Sequence, residues 1–76
     1  MKLSDLKLGQ TAIISKIIGI KSPYKARLLA MGLTPGSKIK IIKIAPLGDP
    51  IVITVRNFNL IIRQQEAEIL EVAFVD

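Results

Sequence analysis

The eighteen isoleucine and valine residues are the feature that most constrains how this chain folds. They occur in short clusters, and glycine, proline or asparagine separates one cluster from the next. β-Branched side chains are stiff at χ1 and fit a pleated, half-buried surface better than a helix. Because glycine, proline and asparagine favour turns, the pattern predicts a mainly β chain with short strands.

Apolar doublets interrupt the alternation expected of simple strands. The predicted strands are residues 10–20, 38–44, 51–56, 60–63 and 70–75. The doublets at 13–14 and 17–18 predict a first strand that is bulged or buried on both faces. A bulge near Ile41 and Ile42 would return the four isoleucines of residues 39–44 to one face. Asn57-Phe58-Asn59 is predicted as the hairpin turn between the third and fourth strands.

One helix is predicted between the first two strands, at about residues 23–31. Ser22 is a good N-cap, and Pro23 is preorganised for the first helical position. Gly32 can supply the left-handed residue that ends the helix. A short helical turn at about 64–69 precedes the last strand. These elements predict a single-domain, five-stranded barrel of the SH3 type with an inserted helix.

The composition excludes most kinds of catalytic and metal site. The chain has 76 residues and contains neither cysteine nor histidine. Cys/His zinc sites, iron–sulfur clusters and Ser-His-Asp catalysis are therefore excluded. Glu66 and Glu68 are two residues apart and face different directions, and Asp49 is a lone carboxylate that we expect to fix its own turn. We predict a protein that is not an enzyme and has no metal site or cofactor.

Charge is distributed unevenly along the chain. Residues 1–44 carry nine basic side chains against Asp5 alone, whereas residues 45–76 carry two basic and five acidic side chains. Solvated lysines on strand edges are the simplest interpretation. A basic surface that meets phosphates, an anionic membrane or an acidic partner is the alternative. Its members would be Lys16, Lys21, Lys25, Arg27, Lys38, Lys40 and Lys43.

A second candidate surface is apolar and lies near the predicted helix. Its members would be Leu29, Leu33, Pro46 and Leu47. Half of the residues are hydrophobic, so some apolar area is expected at the surface, where it often marks a partner site. No apolar run approaches the roughly 18 residues of a membrane span, and no targeting segment is seen, so we expect a cytoplasmic protein without direct membrane insertion. Self-association through exposed strand edges is left open.

Four segments resemble the FeoA family of ferrous iron transport proteins. They are Leu3–Gly9, Arg27–Gly36, Ala45–Pro50 and Leu60–Ala67. Each segment is weak evidence alone, but their order and spacing together are specific and cover nearly the whole chain. Asn57 stands where the family usually has glycine, and asparagine can still adopt the positive φ of a hairpin turn.

The resemblance implies a non-enzymatic, SH3-like accessory module for ferrous iron uptake. It would bind the GTP-binding membrane iron transporter, FeoB, by protein–protein contact, and this partner would recruit it to the inner face of the membrane. The contact residues it implies are Arg27, Leu29, Leu33, Pro46, Leu47, Gly48 and Asp49. The residues it implies for structure are Gly32, Pro35, Gly36, Arg63 and Glu66, with Arg63 and Glu66 forming an ion pair. Stimulation of GTP hydrolysis, gating and assembly are all left open as the module's role.

Two further functions are weaker alternatives. A nucleic-acid-binding barrel would use the basic first half, but Tyr24, Phe58 and Phe74 are too scattered to stack bases, so no nucleic-acid partner is expected. The same scatter argues against a groove for proline-rich peptides. A detached regulatory domain, similar to the C-terminal domain of iron-dependent repressors, is the other alternative.

Overall fold

The computed structural model describes residues 1–19 and 22–75 and is mainly β. Five strands form one antiparallel sheet in the order β4-β3-β2-β1-β5. They are β1 (Thr11–Ile17), β2 (Lys38–Ile44), β3 (Ile51–Val55), β4 (Phe58–Ile62) and β5 (Leu70–Phe74). Helix α1 (Pro23–Ala30) lies between β1 and β2, helix α2 (Gln64–Ala67) precedes β5, and a 3-10 turn spans Leu3–Asp5. The predicted mainly β fold with an inserted helix is confirmed.

Two strand boundaries differ from the prediction by more than one residue. β1 ends at Ile17; the Ile18 N–H still donates to the Ile69 carbonyl (2.8 Å), and Gly19, with a φ of 83°, then turns the chain. The rest of that predicted strand, Ile20, lies outside the described residues. The hairpin turn consists of Arg56 and Asn57, which have φ of 50° and 71°, so β4 begins at Phe58.

β1 is bulged, which was one of its two predicted alternatives, and the predicted bulge of β2 is present but does not have the expected effect. The β1 register shifts between Ile14 and Lys16, and the β2 register shifts between Ile41 and Lys43. Ile41 is buried, whereas Ile42 is the extra residue of the second bulge and is exposed. The prediction that the bulge returns all four isoleucines of β2 to one face is therefore wrong for Ile42, because the extra residue of a bulge has no place in the ladder.

The core lies on the inner face of the sheet and is almost entirely aliphatic. β3 shows the simplest pattern, with Ile51, Ile53 and Val55 buried and the residues between them half-buried. Leu28 of α1 and Leu3 of the 3-10 turn are fully buried against the same cluster. Each such side chain contributes about 1.5–3 kcal/mol to folding when it is buried.

Local capping fixes the ends of α1. The Ser22 Oγ accepts a hydrogen bond from the Tyr24 N–H (3.2 Å) at the start. At the end, Gly32 has a φ of 90°, and the Leu33 N–H donates to the Leu28 carbonyl (3.0 Å), which is a Schellman ending. Among the described residues, no helix has both the length and the apolar character needed to cross a membrane.

A proline–glycine turn joins α1 to β2 and is tied to β1. The Ser37 N–H donates to the Thr34 carbonyl (3.0 Å), and Gly36 has a φ of 93°. This geometry suits proline followed by glycine at the centre of a turn. The Gly36 N–H also donates to the Ile14 carbonyl (2.7 Å), so the turn is fixed at the start of β2.

Candidate partner-binding surface

The loop of residues 45–50, between β2 and β3, presents one leucine to solvent. The Gly48 N–H donates to the Ala45 carbonyl (2.7 Å), and the Ala45 N–H donates to the Pro50 carbonyl (3.1 Å). These bonds fold the loop back on itself and leave Leu47 at its tip. Leu47 is 96% exposed. An isolated exposed leucine is common, but this one stands on a loop whose shape is fixed at both ends.

Asp49 connects this loop to α2. Its Oδ1 accepts a hydrogen bond from the Gln64 N–H (3.0 Å), at the first residue of α2. The expectation that Asp49 fixes its own turn is therefore wrong, because its carboxylate instead accepts one of the first N–H groups of α2, which have no partner within the helix. This bond holds the loop against α2 and gives its tip a defined direction.

An apolar groove of about 350 Å³ lies beside the loop on the outer face of the sheet. Its lining residues are Lys43, Ala45, Pro46, Pro50, Val52 and Ile61. Lys43, Val52 and Ile61 occupy one row across three strands, because Val52 lies opposite both of the others in the ladder. The groove is therefore built by the register of the sheet as well as by the loop.

Sequence reasoning missed the part of this groove that comes from the strands. Ile61 is 56% exposed, although it lies in the run Leu60-Ile61-Ile62 that reads as buried. Its neighbour Ile62 is fully buried on the other face. β4 is an edge strand, and three apolar residues in succession on such a strand must place at least one outward. That run was the signal that could have identified Ile61.

Arg27 forms an ion pair that differs from the predicted one. Its Nε lies 3.2 Å from Glu66 Oε2, and the side chains are 61% and 1% exposed, respectively. Among the residues that the structure describes, none donates a hydrogen bond to this Oε2. The expected pair of Arg63 with Glu66 is wrong, because Arg63 contributes its backbone N–H, which donates to Glu66 Oε1 (2.9 Å), while its side chain is exposed.

The predicted contact residues in and just after α1 do not all lie at the surface. Leu29 is exposed, whereas Leu33 is fully buried in the core. The Schellman ending explains the difference, because it folds the residue after Gly32 back against the last helical turn. Leu33 therefore cannot contact a partner while the fold is intact.

Helix α2 joins the two groups of predicted contact residues. Asp49 of the loop bonds to Gln64, and Arg27 of α1 pairs with Glu66, two residues further along α2. The loop and α1 therefore share one support. Pro46 and Gly48 are exposed beside Leu47, so the loop half of the predicted set lies together at the surface.

The predicted basic surface divides into separate parts. Lys16 is exposed on β1, Lys25 is half-buried on α1, and Lys43 lines the apolar groove. Lys38 and Lys40 line a different groove, and Lys21 lies outside the described residues. Within the described part of the chain, no three carboxylates come together as a metal site would require.

Comparisons with known proteins agree with the resemblance seen in the sequence. The FeoA domain family model matches residues 1–73. A Porphyromonas gingivalis protein, the Fe(2+) transport protein A/Fe(2+) transporter FeoB fusion protein, is 32% identical over 75 residues, which are 99% of this chain and 9% of that protein.

Two solved structures show the same fold. The solution structure of iron(II) transport protein A from Clostridium thermocellum has a TM-score of 0.89 and 41% identity, and covers 99% of this chain and 46% of that one. Stenotrophomonas maltophilia FeoA in complex with zinc, a procaryotic SH3 domain protein, has a TM-score of 0.82 at 24% identity, and covers 96% of this chain and 89% of that one. This likeness confirms the predicted SH3-like fold.

The chain therefore spans less than half the length of two of these relatives. The family match nevertheless extends from the 3-10 turn to β5 and includes the loop, α1 and α2. All four segments that carried the resemblance lie within it. The chain belongs to the FeoA domain family.

Proposed function

We propose that this protein is a cytoplasmic accessory module that binds a FeoB-type ferrous iron transporter by protein–protein contact and catalyses no reaction itself. The observation that carries the proposal is Leu47, which stands almost fully exposed beside an apolar groove on a loop anchored to α2. A relative in which the same domain is joined to FeoB supports the choice of partner. Fusion in one chain places two modules at high effective concentration, which favours an interaction between them.

The geometry suits a small interface with an apolar centre. Leu47 can insert into a pocket of the partner, while the groove lined by Pro46, Val52 and Ile61 receives an apolar side chain in return. Such reciprocal contacts concentrate binding energy in a few residues near the centre of an interface. The neighbouring polar groups, Lys43 and Asp49, would form part of the rim.

The anchor on α2 contributes through preorganisation. A loop that is already fixed loses little conformational entropy when it binds, and this raises affinity without adding a contact. Arg27 supports the same arrangement from α1, because its ion pair with Glu66 holds α2. In this proposal Arg27 acts mainly through α2, and Leu29 extends the surface on the α1 side.

A binding measurement with a matched control tests the proposal. The labelled protein is titrated with a FeoB-type transporter in detergent and, separately, with its GTP-binding domain, and amide shifts are recorded. Leu47→Asp is compared with Leu8→Asp, since Leu8 is also an exposed leucine but lies outside the groove. We expect shifts centred on residues 45–50 and on Ile61, and we expect only Leu47→Asp to abolish them.

Two results would overturn the proposal. One is the absence of any shift with either preparation at concentrations that saturate comparable interfaces. The other is equal loss of binding in both leucine variants, which would mean that general surface polarity, and not this loop, governs the contact. Because apolar burial carries the contact, binding should also persist at moderate salt, where a purely charge-driven complex would dissociate.

A further inference from the structure

A second groove, of about 610 Å³, lies at the opposite end of the β2–β3 hairpin from the loop of residues 45–50. Three segments of different origin form it: strands β1 to β3, the proline–glycine turn before β2, and the hairpin turn after β3. Its lining residues are Thr11, Gly36, Ser37, Lys38, Lys40, Thr54, Arg56 and Asn57. We call it the cationic groove, since it has three basic residues and no carboxylate in its lining.

The sheet and the hairpin turn together bring the three cations to one groove. Lys40 lies opposite Thr54 in the β2–β3 ladder, and Lys38, two residues earlier in β2, projects from the same face. Arg56 follows β3 in the hairpin turn and lines the same groove. Like charges that line one groove repel one another. Within the part of the chain that the structure describes, no carboxylate lies within ion-pair distance of any of them.

Most of the remaining lining residues carry side-chain hydrogen-bond donors. Thr11 lies opposite Lys40, so one row across three strands carries a hydroxyl, an ammonium and the hydroxyl of Thr54. Asn57 adds an amide from the hairpin turn. Together these groups can bond several oxygen atoms at once. They therefore suit a phosphate ligand better than a single carboxylate ligand.

The backbone of the hairpin turn gives evidence, independent of the charges, that the position of Arg56 is specialised. Arg56 has a φ of 50°, a left-handed conformation that costs a non-glycine residue energy, and hairpin turns of this kind prefer asparagine or glycine there. The guanidinium of Arg56 lies beside Gly32, at the C-terminal end of α1. A Cβ added to Gly32 would stand 4.0 Å from Arg56 Nη1. The C-terminal end of a helix attracts a cation, which favours this position of the guanidinium.

We infer that the cationic groove binds a small phosphate-bearing anion, with Lys38, Lys40 and Arg56 supplying charge and Thr11, Thr54 and Asn57 supplying hydrogen bonds. Its volume lies within the range of small-molecule sites. Its lining contains no aromatic residue, so the phosphate is recognised without stacking of a base. The site lies apart from the loop of residues 45–50 and does not depend on the proposed transporter contact.

Pyrophosphate is the probe for the first test. The full chain is titrated with it, and amide shifts are followed in the unmodified protein, in Lys40→Gln and in the matched control Lys16→Gln. Lys16 is also an exposed strand lysine but does not line the groove. We expect shifts at Thr11, residues 36–40 and residues 54–57, and about tenfold weaker binding in Lys40→Gln, because one charge-assisted contact is lost. Lys16→Gln should bind as the unmodified protein does.

A second arm distinguishes the source of the phosphate. Sedimentation with phosphatidylcholine vesicles, with and without phosphatidylglycerol, shows whether a lipid headgroup can occupy the groove. Binding to the anionic vesicles that Lys40→Gln weakens and Lys16→Gln does not would support a lipid source, whereas pyrophosphate binding alone would support a free phosphate compound.

Three outcomes would overturn the inference. Pyrophosphate and anionic vesicles could both fail to bind. Lys16→Gln could weaken binding as much as Lys40→Gln, which would indicate net charge alone. Finally, a poly-glutamate peptide could shift the groove amides while pyrophosphate shifts none, which would assign the groove to an acidic peptide.

Discussion

The Arg27 Nε lies 3.2 Å from the Oε2 of Glu66, and through this contact an exposed arginine of α1 neutralises a buried carboxylate of α2. Glu66 uses its other oxygen to accept the Arg63 N–H at the start of its own helix. The residue therefore caps a four-residue helix and joins it to α1 at the same time. So short a helix is not stable by itself, and these contacts hold it in place.

Removing the arginine should destabilise the fold. Arg27→Ala leaves Glu66 Oε2 buried without a counter-charge, and we expect the free energy of unfolding to fall by about 1–3 kcal/mol. The loss is smaller than for a fully buried pair, because Arg27 is largely exposed. Arg63→Ala is the matched control, since that side chain is exposed and only its backbone contacts Glu66. Urea unfolding of both variants checks this, and equal losses would contradict the pairing.

The bond between Asp49 and Gln64 should affect both stability and loop position. Asp49→Ala removes the acceptor at the first N–H of α2, and we expect a loss of about 0.5–2 kcal/mol, as for other residues that cap helix starts. Asp49→Asn keeps an oxygen at this position and should retain most of the stability. Chemical denaturation gives the energies, and amide shifts of residues 45–48 report the loop. Equal losses in both variants would show that charge, and not the hydrogen bond, is what matters.

Local signals made most of the fold predictable. Ser22 and Gly32 mark the ends of α1 through bonds within a few residues of themselves, and Pro35-Gly36 defines its turn in the same way. The alternation of β3 is regular, so its buried face could be assigned from the sequence. The bulge of β2 was predicted from adjacent isoleucines. Which of them becomes the extra residue, here Ile42, is decided by the register with β3.

The parts of the candidate site that were missed depend on contacts between distant residues. Arg27 and Glu66 are 39 positions apart, and nothing near Glu66 distinguishes Arg27 from Arg63 as its partner. Ile61 and Lys43 share a groove only because Val52 lies between them in the sheet. The FeoA resemblance identified the loop of residues 45–50, but it could not show that the groove continues onto β4.

The hairpin turn should tolerate glycine at position 57, which is the residue that the FeoA family usually has there. Asn57 has a φ of 71°, so Asn57→Gly removes strain, and we expect a gain of up to about 1 kcal/mol in the free energy of unfolding. Asn59→Gly is a matched change within β4 and should instead lose about 0.5–1 kcal/mol, because glycine weakens a strand interior. Thermal unfolding of the two variants should therefore move in opposite directions. A loss in Asn57→Gly would mean that the asparagine side chain has a stabilising role of its own.

The strand side of the apolar groove provides a test of the proposed transporter contact that does not touch the loop. Ile61→Asp places a carboxylate in the groove, where it cannot be solvated once a partner covers it, and we expect binding to weaken at least about 30-fold, as for a central interface residue. Phe58→Asp is the control, because Phe58 is exposed on the same edge strand but does not line the groove. Both variants should remain folded, since both side chains are largely exposed. Unchanged transporter binding in Ile61→Asp, measured by calorimetry beside the Phe58 control, would restrict the contact to the loop.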